Sequence, residues 1–280
     1  MNLSEARRRA AERLRASGTE YPEREAEFLL AEAARIDRSF LAAHPFLPLE
    51  DSAARRLWEM TERRFGGEPL QYILGSWEFY GRSLDVAPGV LIPRPDTEIL
   101  VEHALTFLPS SGRFLDWGTG SGCIILALLS ERSDLTAVAV DANALAVSLT
   151  WRNLKLHGLL SRCFLWHSRT PQDIPAGDGE FDLVVSNPPY IPFPLISGLP
   201  REVRKEPLSA LDGGEDGLLW YRALFGWAPA KLRKGGRLLF EIGDGEQGEL
   251  LVQIAPSSME FEGIFHDLSR KPRAASWLRV

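Results

Sequence analysis

The sequence predicts an α/β protein, in which a mostly parallel sheet is covered by helices on both faces. A small N-terminal helical domain precedes the sheet and is joined to it by a β-hairpin linker. Three observations carry this expectation. From Arg113 onward, short apolar runs of strand length alternate with helical patterns, as expected of parallel strands joined by helical crossovers. Residues 1–66 show apolar residues at helical spacing only. Residues 67–95 are rich in glycine and aromatic residues at turn-like spacing. The length of 280 residues suits two domains. The expected boundaries are 1–66 for the helical domain, 67–95 for the linker and 96–280 for the sheet domain.

The elements follow in order. Leu3, Ala6, Ala10 and Leu14 share one helix face, and Gly18 supplies a stop. Pro22 suits the first turn of a second helix, whose stripe is Ala26, Leu29, Leu30 and Ala33. Pro45 and Pro48 break the pattern, and a third helix is expected from about Leu49 to Phe65. Gln71–Gly75, Trp77–Gly81 and Leu84–Val86 read as short strands and turns. Asp96 is placed to cap a helix running to about Leu108. Arg113–Trp117 reads as a strand, followed by a glycine loop and the apolar helix Cys123–Leu129, then a strand at Leu135–Val140. Later strands are expected at Cys163–Trp166, Phe181–Ser186, Gly236–Ile242, Phe261–Phe265 and Ala275–Arg279.

Composition narrows the class. Hydrophobic residues make up 45% of the chain and charged residues 25%, ordinary for a globular protein with a sizeable core. A net charge of −6 argues against a protein living on nucleic acid, so no direct nucleic-acid partner is expected. Arg7, Arg8, Arg9, Arg13 and Arg15 read first as a solvated helix face and second as a contact for acidic partners. Cys123 and Cys163 lie in apolar contexts and read as packing residues in a reducing compartment. The five histidines are scattered and no Cys/His spacing resembles a metal site, so no metal is expected. No apolar stretch approaches the ~20 residues that cross a bilayer. The Arg-rich N-terminus is interrupted by Glu5 and Glu12 with no apolar segment after it, unlike a targeting sequence. A cytoplasmic protein without a membrane partner is expected.

Two motifs carry the chemistry. In the first, Asp116-Trp117 at a strand end leads into Gly118-Thr119-Gly120-Ser121-Gly122 and then a helix. Glycines there let a ligand approach the backbone. Asp141 ends the next strand, about 20 positions on, where an acidic residue accepts the hydroxyls of a ribose. The dinucleotide fingerprint needs glycine or alanine where this chain has Cys123, and no Lys-Ser/Thr pair follows to grip phosphate. A cofactor with a ribose but no pyrophosphate fits, and S-adenosylmethionine is the candidate. Asp116, Gly118, Thr119, Gly120, Ser121, Gly122, Asp141 and Asn187 are the expected cofactor-binding residues.

The second motif is Asn187-Pro188-Pro189-Tyr190, after the buried-strand run Phe181–Ser186. Each proline fixes φ near −65° and removes a backbone donor, and restricts the residue before it. The result is a stiff loop of acceptors beside an aromatic face. The Asn187 oxygen and the loop carbonyls can accept from a ligand NH2, which offers two donors. Tyr190 can lie against the planar group that carries it. Asn187, Pro188, Pro189 and Tyr190 are therefore the expected catalytic residues, holding an amide or exocyclic amine for attack on a methyl group. Asp116, Asp141 and Asn187 are all expected beyond the carboxyl ends of their strands.

With both motifs in this order, the chain resembles the class I S-adenosylmethionine-dependent methyltransferases, whose sheet is Rossmann-like. It is most similar to the peptide-chain release factor glutamine methyltransferases. Gly67–Gly75, Val90–Glu98, Glu202-Val203, Glu206-Pro207, Ala210-Leu211, Gly213-Gly214 and Asp216-Gly217-Leu218 also resemble that family. The resemblance implies N5-methylation of the glutamine in the Gly-Gly-Gln motif of class-1 peptide chain release factors, these being the protein partners. It implies cofactor contacts at Gly118, Gly120, Gly122 and Asp141, and a substrate-amide clamp at Asn187–Tyr190. The helical domain, without a catalytic constellation, reads as a substrate-docking or packing unit. One stretch departs from the family: Trp166-His167-Ser168-Arg169 stands where an acidic residue and an aromatic usually flank the adenine. A ribosomal-protein glutamine and the exocyclic amine of a DNA or RNA base are the alternative substrates, since the same clamp suits either. A cofactor-binding scaffold without catalysis is the remaining alternative, against which the intact clamp argues.

Overall fold

The computed structural model describes residues 1–280 and divides them into two compact units. The first comprises Met1–Ser76 with Pro200–Lys205, and the second Trp77–Leu199 with Glu206–Val280.

The first unit contains α1 (Leu3–Arg15), α2 (Pro22–Ala34), α3 (Arg38–Ala43), α4 (Asp51–Phe65) and α5 (Leu70–Leu74). The expected stripes are the buried ones: Leu3, Ala6, Ala10 and Leu14 of α1, and Ala26, Leu29, Leu30 and Ala33 of α2. Asn2 caps α1 by accepting from the Glu5 amide at 2.8 Å. The five α1 arginines each face a glutamate: Arg7 with Glu27, Arg8 with Glu12, Arg9 with Glu5, Arg13 with Glu62 and Arg15 with Glu23. They form an ion-paired, solvated helix face. Arg64, almost fully buried, is held by Glu25 of α2 and by Glu202 of the Pro200–Lys205 segment.

Two expectations fail here. Gln71–Gly75 is not a strand: Gln71 to Leu74 belong to α5 and Gly75 is its C-cap. Its aromatic and branched residues favour strands in isolation, yet Leu70 and Ile73 are buried at helical spacing and Gly75 closes the turn in the left-handed region, at φ 75°. The short helix α3 lies in the stretch before Pro45 for which no element was expected.

The second unit opens with the hairpin β1 (Ser76–Phe79) and β2 (Arg82–Asp85), followed by α6 (Glu98–Phe107). Asp96 does not cap α6. It sits in the short 3-10 turn Pro95–Thr97 and pairs with Arg273 at 2.8 Å. Then come β3 (Arg113–Trp117), α7 (Cys123–Glu131), β4 (Thr136–Asp141), α8 (Ala144–Leu156), β5 (Cys163–His167), β6 (Phe181–Ser186), α9 (Leu219–Lys231), β7 (Leu232–Glu241), α10 (Gly245–Ile254), β8 (Met259–His266) and β9 (Pro272–Arg279). The sheet order is β5-β4-β3-β6-β7-β9-β8. The strands from β5 to β7 are parallel, and β9 is antiparallel to both of its neighbours.

Alternation along the strands divides the core. Phe114, Ala137, Ala139, Leu183 and Val185 pack on one face with α6 and α7. Leu115, Trp117, Val138, Val140, Val184 and Phe240 pack on the other with α9. The chain runs outward from β3 through β4 to β5, then returns to build β6 and β7 on the other side. That reversal opens a crevice at the carboxyl ends of β3 and β6, the place where sheets of this kind bind ligands. No helix is long and apolar enough to cross a membrane.

Candidate active site

The crevice is an open cleft of ≈ 980 Å³, its mouth included. Gly118, Thr119, Gly120, Ser121, Asp141, Asn187 and Pro189 line it, so the two motifs read from the sequence meet in one place.

The glycine loop is held from several directions. The amides of Gly118 and Thr119 donate to the Val140 carbonyl at 2.8 and 2.9 Å, curling the loop over the end of β4. The Gly120 amide donates to Asp141 Oδ2 at 2.9 Å. From α8, Thr150 Oγ1 donates to the Gly120 carbonyl and Asn153 Nδ2 to the Ser121 carbonyl. Gly122 has φ +81°, and a Cβ there would stand 2.8 Å from Thr150 Cγ2, so only glycine lets α8 come this close. Asp141 Oδ1 accepts from the Asn143 amide at 2.8 Å. Burial raises the Asp141 pKa, while backbone donors and His167 oppose the shift.

Asp116 and Gly122 do not reach the cleft lining. Asp116 is fully buried under the loop, where its Oδ2 accepts from Thr119 Oγ1 at 2.8 Å and its Oδ1 has no partner. Burial pushes its carboxyl up to about 7, the Asp141 charge adds to the rise, and the Thr119 hydroxyl opposes it. Its place in the structure is that of a support for the loop.

The second motif is equally fixed. Asn187 Nδ2 donates to Thr97 Oγ1 at 3.2 Å, and neither Asn187 Oδ1 nor the Pro188 carbonyl has a partner inside the protein. The Asn187 backbone carbonyl lies 4.0 Å from where a Cβ on Gly118 would stand, so the clamp and the glycine loop are neighbours. Pro188 and Tyr190 stay off the cleft lining. Burial raises the Tyr190 phenol well above its usual value, with Glu241 adding to the rise. A Cβ on Gly243 would stand 3.2 Å from the Tyr190 ring.

Several supporting residues lie outside the two chemical motifs. Gln247 Nε2 donates to the carbonyls of Tyr190 and Gly217, and its Oε1 accepts from Tyr221 and from the Gly243 amide. Gly217, at φ +77°, packs so closely that a Cβ would stand 2.5 Å from the Tyr190 carbonyl oxygen. Glu206 accepts from the Ile92 amide and from Arg94, and Arg94 lines the cleft. Glu98 accepts from the Tyr80 amide, so among Arg94, Asp96 and Glu98 only Arg94 reaches the site. Trp117 and Trp220, ring centroids 5.3 Å apart, form an aromatic wall. Trp117 directly precedes the glycine loop and was visible there, whereas Trp220 is brought in by α9. Trp166 lies outside the cleft and donates from Nε1 to the Asp173 carbonyl, which makes it a packing residue. Cys123 lines the cleft but is buried, its thiol pushed up to about 12, and is inert as a nucleophile.

Known proteins match this arrangement. The family described as PrmC N-terminal domain matches residues 5–75, and the methyltransferase small domain matches residues 94–192. A release factor glutamine methyltransferase of Geobacter sulfurreducens is 44% identical over 238 residues, covering 84% of this chain and 81% of its own. One from Moorella thermoacetica is 41% identical over 257 residues, covering 91% and 90%. The crystal structure of a methyltransferase from Pyrococcus furiosus has the same fold, with a TM-score of 0.53 at 17% identity over 70% of this chain and 87% of that one.

Proposed function

Because this chain belongs to the family of release factor glutamine methyltransferases, we propose that its cleft methylates the side-chain amide nitrogen (N5) of the glutamine in the Gly-Gly-Gln motif of class-1 peptide chain release factors. The methyl donor is S-adenosylmethionine, and the residues fit it. Gly118 and Gly120 offer bare backbone to the cleft, and Asp141 presents two carboxylate oxygens that each retain acceptor capacity for a ribose hydroxyl. The Trp117–Trp220 wall and Ile124 supply apolar surface. When bound, this donor supplies an electrophilic methyl group on a sulfonium.

The chain's own residues act on the amide. A carboxamide nitrogen is a poor nucleophile because its lone pair is delocalised into the carbonyl. Asn187 Oδ1 and the Pro188 carbonyl accept its two hydrogens and hold the nitrogen towards the methyl. Tyr190 braces the rigid loop that presents them. Fixing both reactants in line contributes up to ~7–11 kcal/mol in well-oriented systems. Acceptors aimed at the positive charge developing on nitrogen add electrostatic stabilisation. The methylated amide is then strongly acidic and loses its proton late, so no strong base is required. The helical unit, which carries no catalytic constellation, is assigned to docking the protein substrate.

One observation carries this reading. In a loop stripped of donors by two prolines, Asn187 commits its amino group to Thr97, leaves Oδ1 unpartnered, and lines the same cleft as Gly118 and Gly120. The test is incubation with methyl-labelled S-adenosylmethionine and, in parallel, a class-1 release factor, a ribosomal protein or nucleic acid, with the modified residue located by mass spectrometry. One added methyl on the Gly-Gly-Gln glutamine is expected. Label confined to the ribosomal protein or to a nucleic-acid base would overturn the assignment.

A further inference from the structure

We propose that Glu206 is a positioning residue that supplies the counter-charge to Arg94, and so keeps the cleft from favouring the neutral thioether product over the cationic methyl donor. This rests on the reading above that the donor is S-adenosylmethionine.

Arg94 and Asp141 are the charged residues among those that line the cleft. Asp141 ends β4, where its carboxylate already serves the glycine loop. Arg94 is therefore the one cation that an incoming ligand meets. Its place is set by its neighbours. Pro93 and Pro95 flank it, and a residue before a proline is held extended, as Arg94 is at φ −103° and ψ 141°. Its side chain is 35% exposed, and a guanidinium does not lose its proton in a protein, so the charge is permanent.

A permanent cation is unsuited to a sulfonium site. The methyl donor differs from its spent form by one methyl group and one positive charge on sulfur. The two share every other group, so most contacts in the cleft serve both alike. An uncompensated guanidinium opposes the charged form alone, and the cleft would then hold product against substrate.

Glu206 removes that bias. It follows the catalytic loop in the chain, and its neighbour Pro207 lines the cleft. The Arg94 guanidinium donates to Glu206 Oε1, and the Ile92 amide donates to Oε2 at 3.0 Å. The Glu206 side chain is only 2% exposed, an unfavourable place for a carboxylate unless its bonds hold it there. With one oxygen fixed by backbone and the other by Arg94, the counter-charge stays beside the guanidinium, and burial protects the pair from screening by salt. Glu241 is also within electrostatic reach of Arg94, but burial pushes its carboxyl up to about 7, so it is only partly ionised at neutral pH. Asp96 is paired with Arg273. Glu206 is thus the carboxylate dedicated to Arg94.

The experiment compares two ligands on the full chain. Affinities for S-adenosylmethionine and for S-adenosylhomocysteine, its demethylated form, are measured by titration calorimetry for wild type, Glu206→Gln and the double variant Arg94→Gln/Glu206→Gln. Thermal melting checks folding, and Arg94→Lys/Glu206→Gln, which has the same net charge, replaces Glu206→Gln should the latter not fold. A unit charge left about 10 Å from a sulfonium, at an effective dielectric constant of about 20, weakens binding by roughly 5–20-fold. Glu206→Gln is expected to lose that factor for S-adenosylmethionine and no more than about twofold for the uncharged sulfur of S-adenosylhomocysteine. In the double variant cation and counter-charge are both gone, and the ratio of the two affinities should return to within about threefold of wild type. Equal losses for both ligands in Glu206→Gln, or an altered ratio that persists in the double variant, overturn the counter-charge role and leave the cofactor site standing. A wild type that binds neither ligand overturns the cofactor reading, and this inference with it.

Discussion

The backbone amide of Gly120 donates to Asp141 Oδ2 at 2.9 Å, joining the glycine loop to the end of the neighbouring strand. With Oδ1 fixed by the Asn143 amide, the Asp141 carboxylate is oriented before any ligand arrives. Asp141→Ala removes an acceptor and also frees the loop. Hydrogen bonds to a charged group contribute about 1.5–3 kcal/mol, so S-adenosylmethionine affinity should fall by ~10–150-fold. Turnover at saturating cofactor should change less. Titration calorimetry and single-turnover rates separate the two, and an unchanged affinity would contradict the ribose assignment.

Asn187→Ala tests the other side of the cleft. Losing one preorganised polar partner at a charge-developing atom lowers turnover by ~10²–10³. Asn187 touches Thr97 and none of the residues that hold Asp141, so cofactor affinity should survive within about threefold. Near-normal turnover would remove the amide clamp from the mechanism.

These two residues were visible in the sequence because each stands at a strand end beside residues with unusual backbone demands. Gly118–Gly122 and the paired prolines announce where the chain must bend, and the apolar runs before them give the strands. The strands β3, β4 and β6 were likewise legible, because buried parallel strands read as continuous apolar runs. The supports were not. Gln247 and Trp220 are ordinary residues whose roles depend on distant partners, as in the hydrogen bond between Gln247 and Tyr190 and the ring contact between Trp220 and Trp117. Helix α5 was misread for a related reason: local propensity favours a strand, and tertiary burial of Leu70 and Ile73 decides otherwise. Asp96 looked like a helix cap because its position suited one, yet Arg273, far along the chain, takes its carboxylate.

Gln247 offers a test of that hidden support. Its side chain makes four hydrogen bonds that tie Tyr190, Gly217, Tyr221 and Gly243 together behind the catalytic loop. Gln247→Met keeps the length and loses the bonds. Turnover should fall by about 10-fold or more as the loop loosens, while cofactor affinity holds. Equal losses in both quantities would mean that the whole sheet edge has shifted and not the loop alone.

Gly122→Ala should destabilise the chain for two separable reasons. A left-handed alanine costs roughly 1–2 kcal/mol, and the Cβ contact with Thr150 Cγ2 at 2.8 Å adds overpacking of about 1–3 kcal/mol. For a domain of this size the melting temperature should drop by roughly 5–15 °C. Adding Thr150→Ala should recover part of the loss, because Cγ2 and Oγ1 are removed while the backbone strain remains. A double variant no more stable than Gly122→Ala would show that the contact with α8 is not what requires glycine.

The buried carboxyls of Asp116 and Glu241 make stability depend on pH in an unusual direction. Burial, the largest influence on each, pushes both up to about 7, against about 4 for exposed carboxyls. Between those values the folded chain holds protons that the unfolded chain has released. Their contribution is therefore fully present below the unfolded pKa and is lost as pH rises through 7, with a slope of up to about 1.4 kcal/mol per pH unit for each proton. Exposed carboxylates such as Asp134, held low chiefly by its hydrogen bond with Arg132, act with the opposite sign but only in the acid range. Urea unfolding between about pH 5.5 and 8 should thus show wild type weakening as pH rises. Asp116→Asn and Glu241→Gln should each flatten the profile, since an amide has no proton to release. A wild-type profile already flat in that window, or one whose slope both substitutions leave unchanged, would mean that these carboxyls do not titrate where their burial places them.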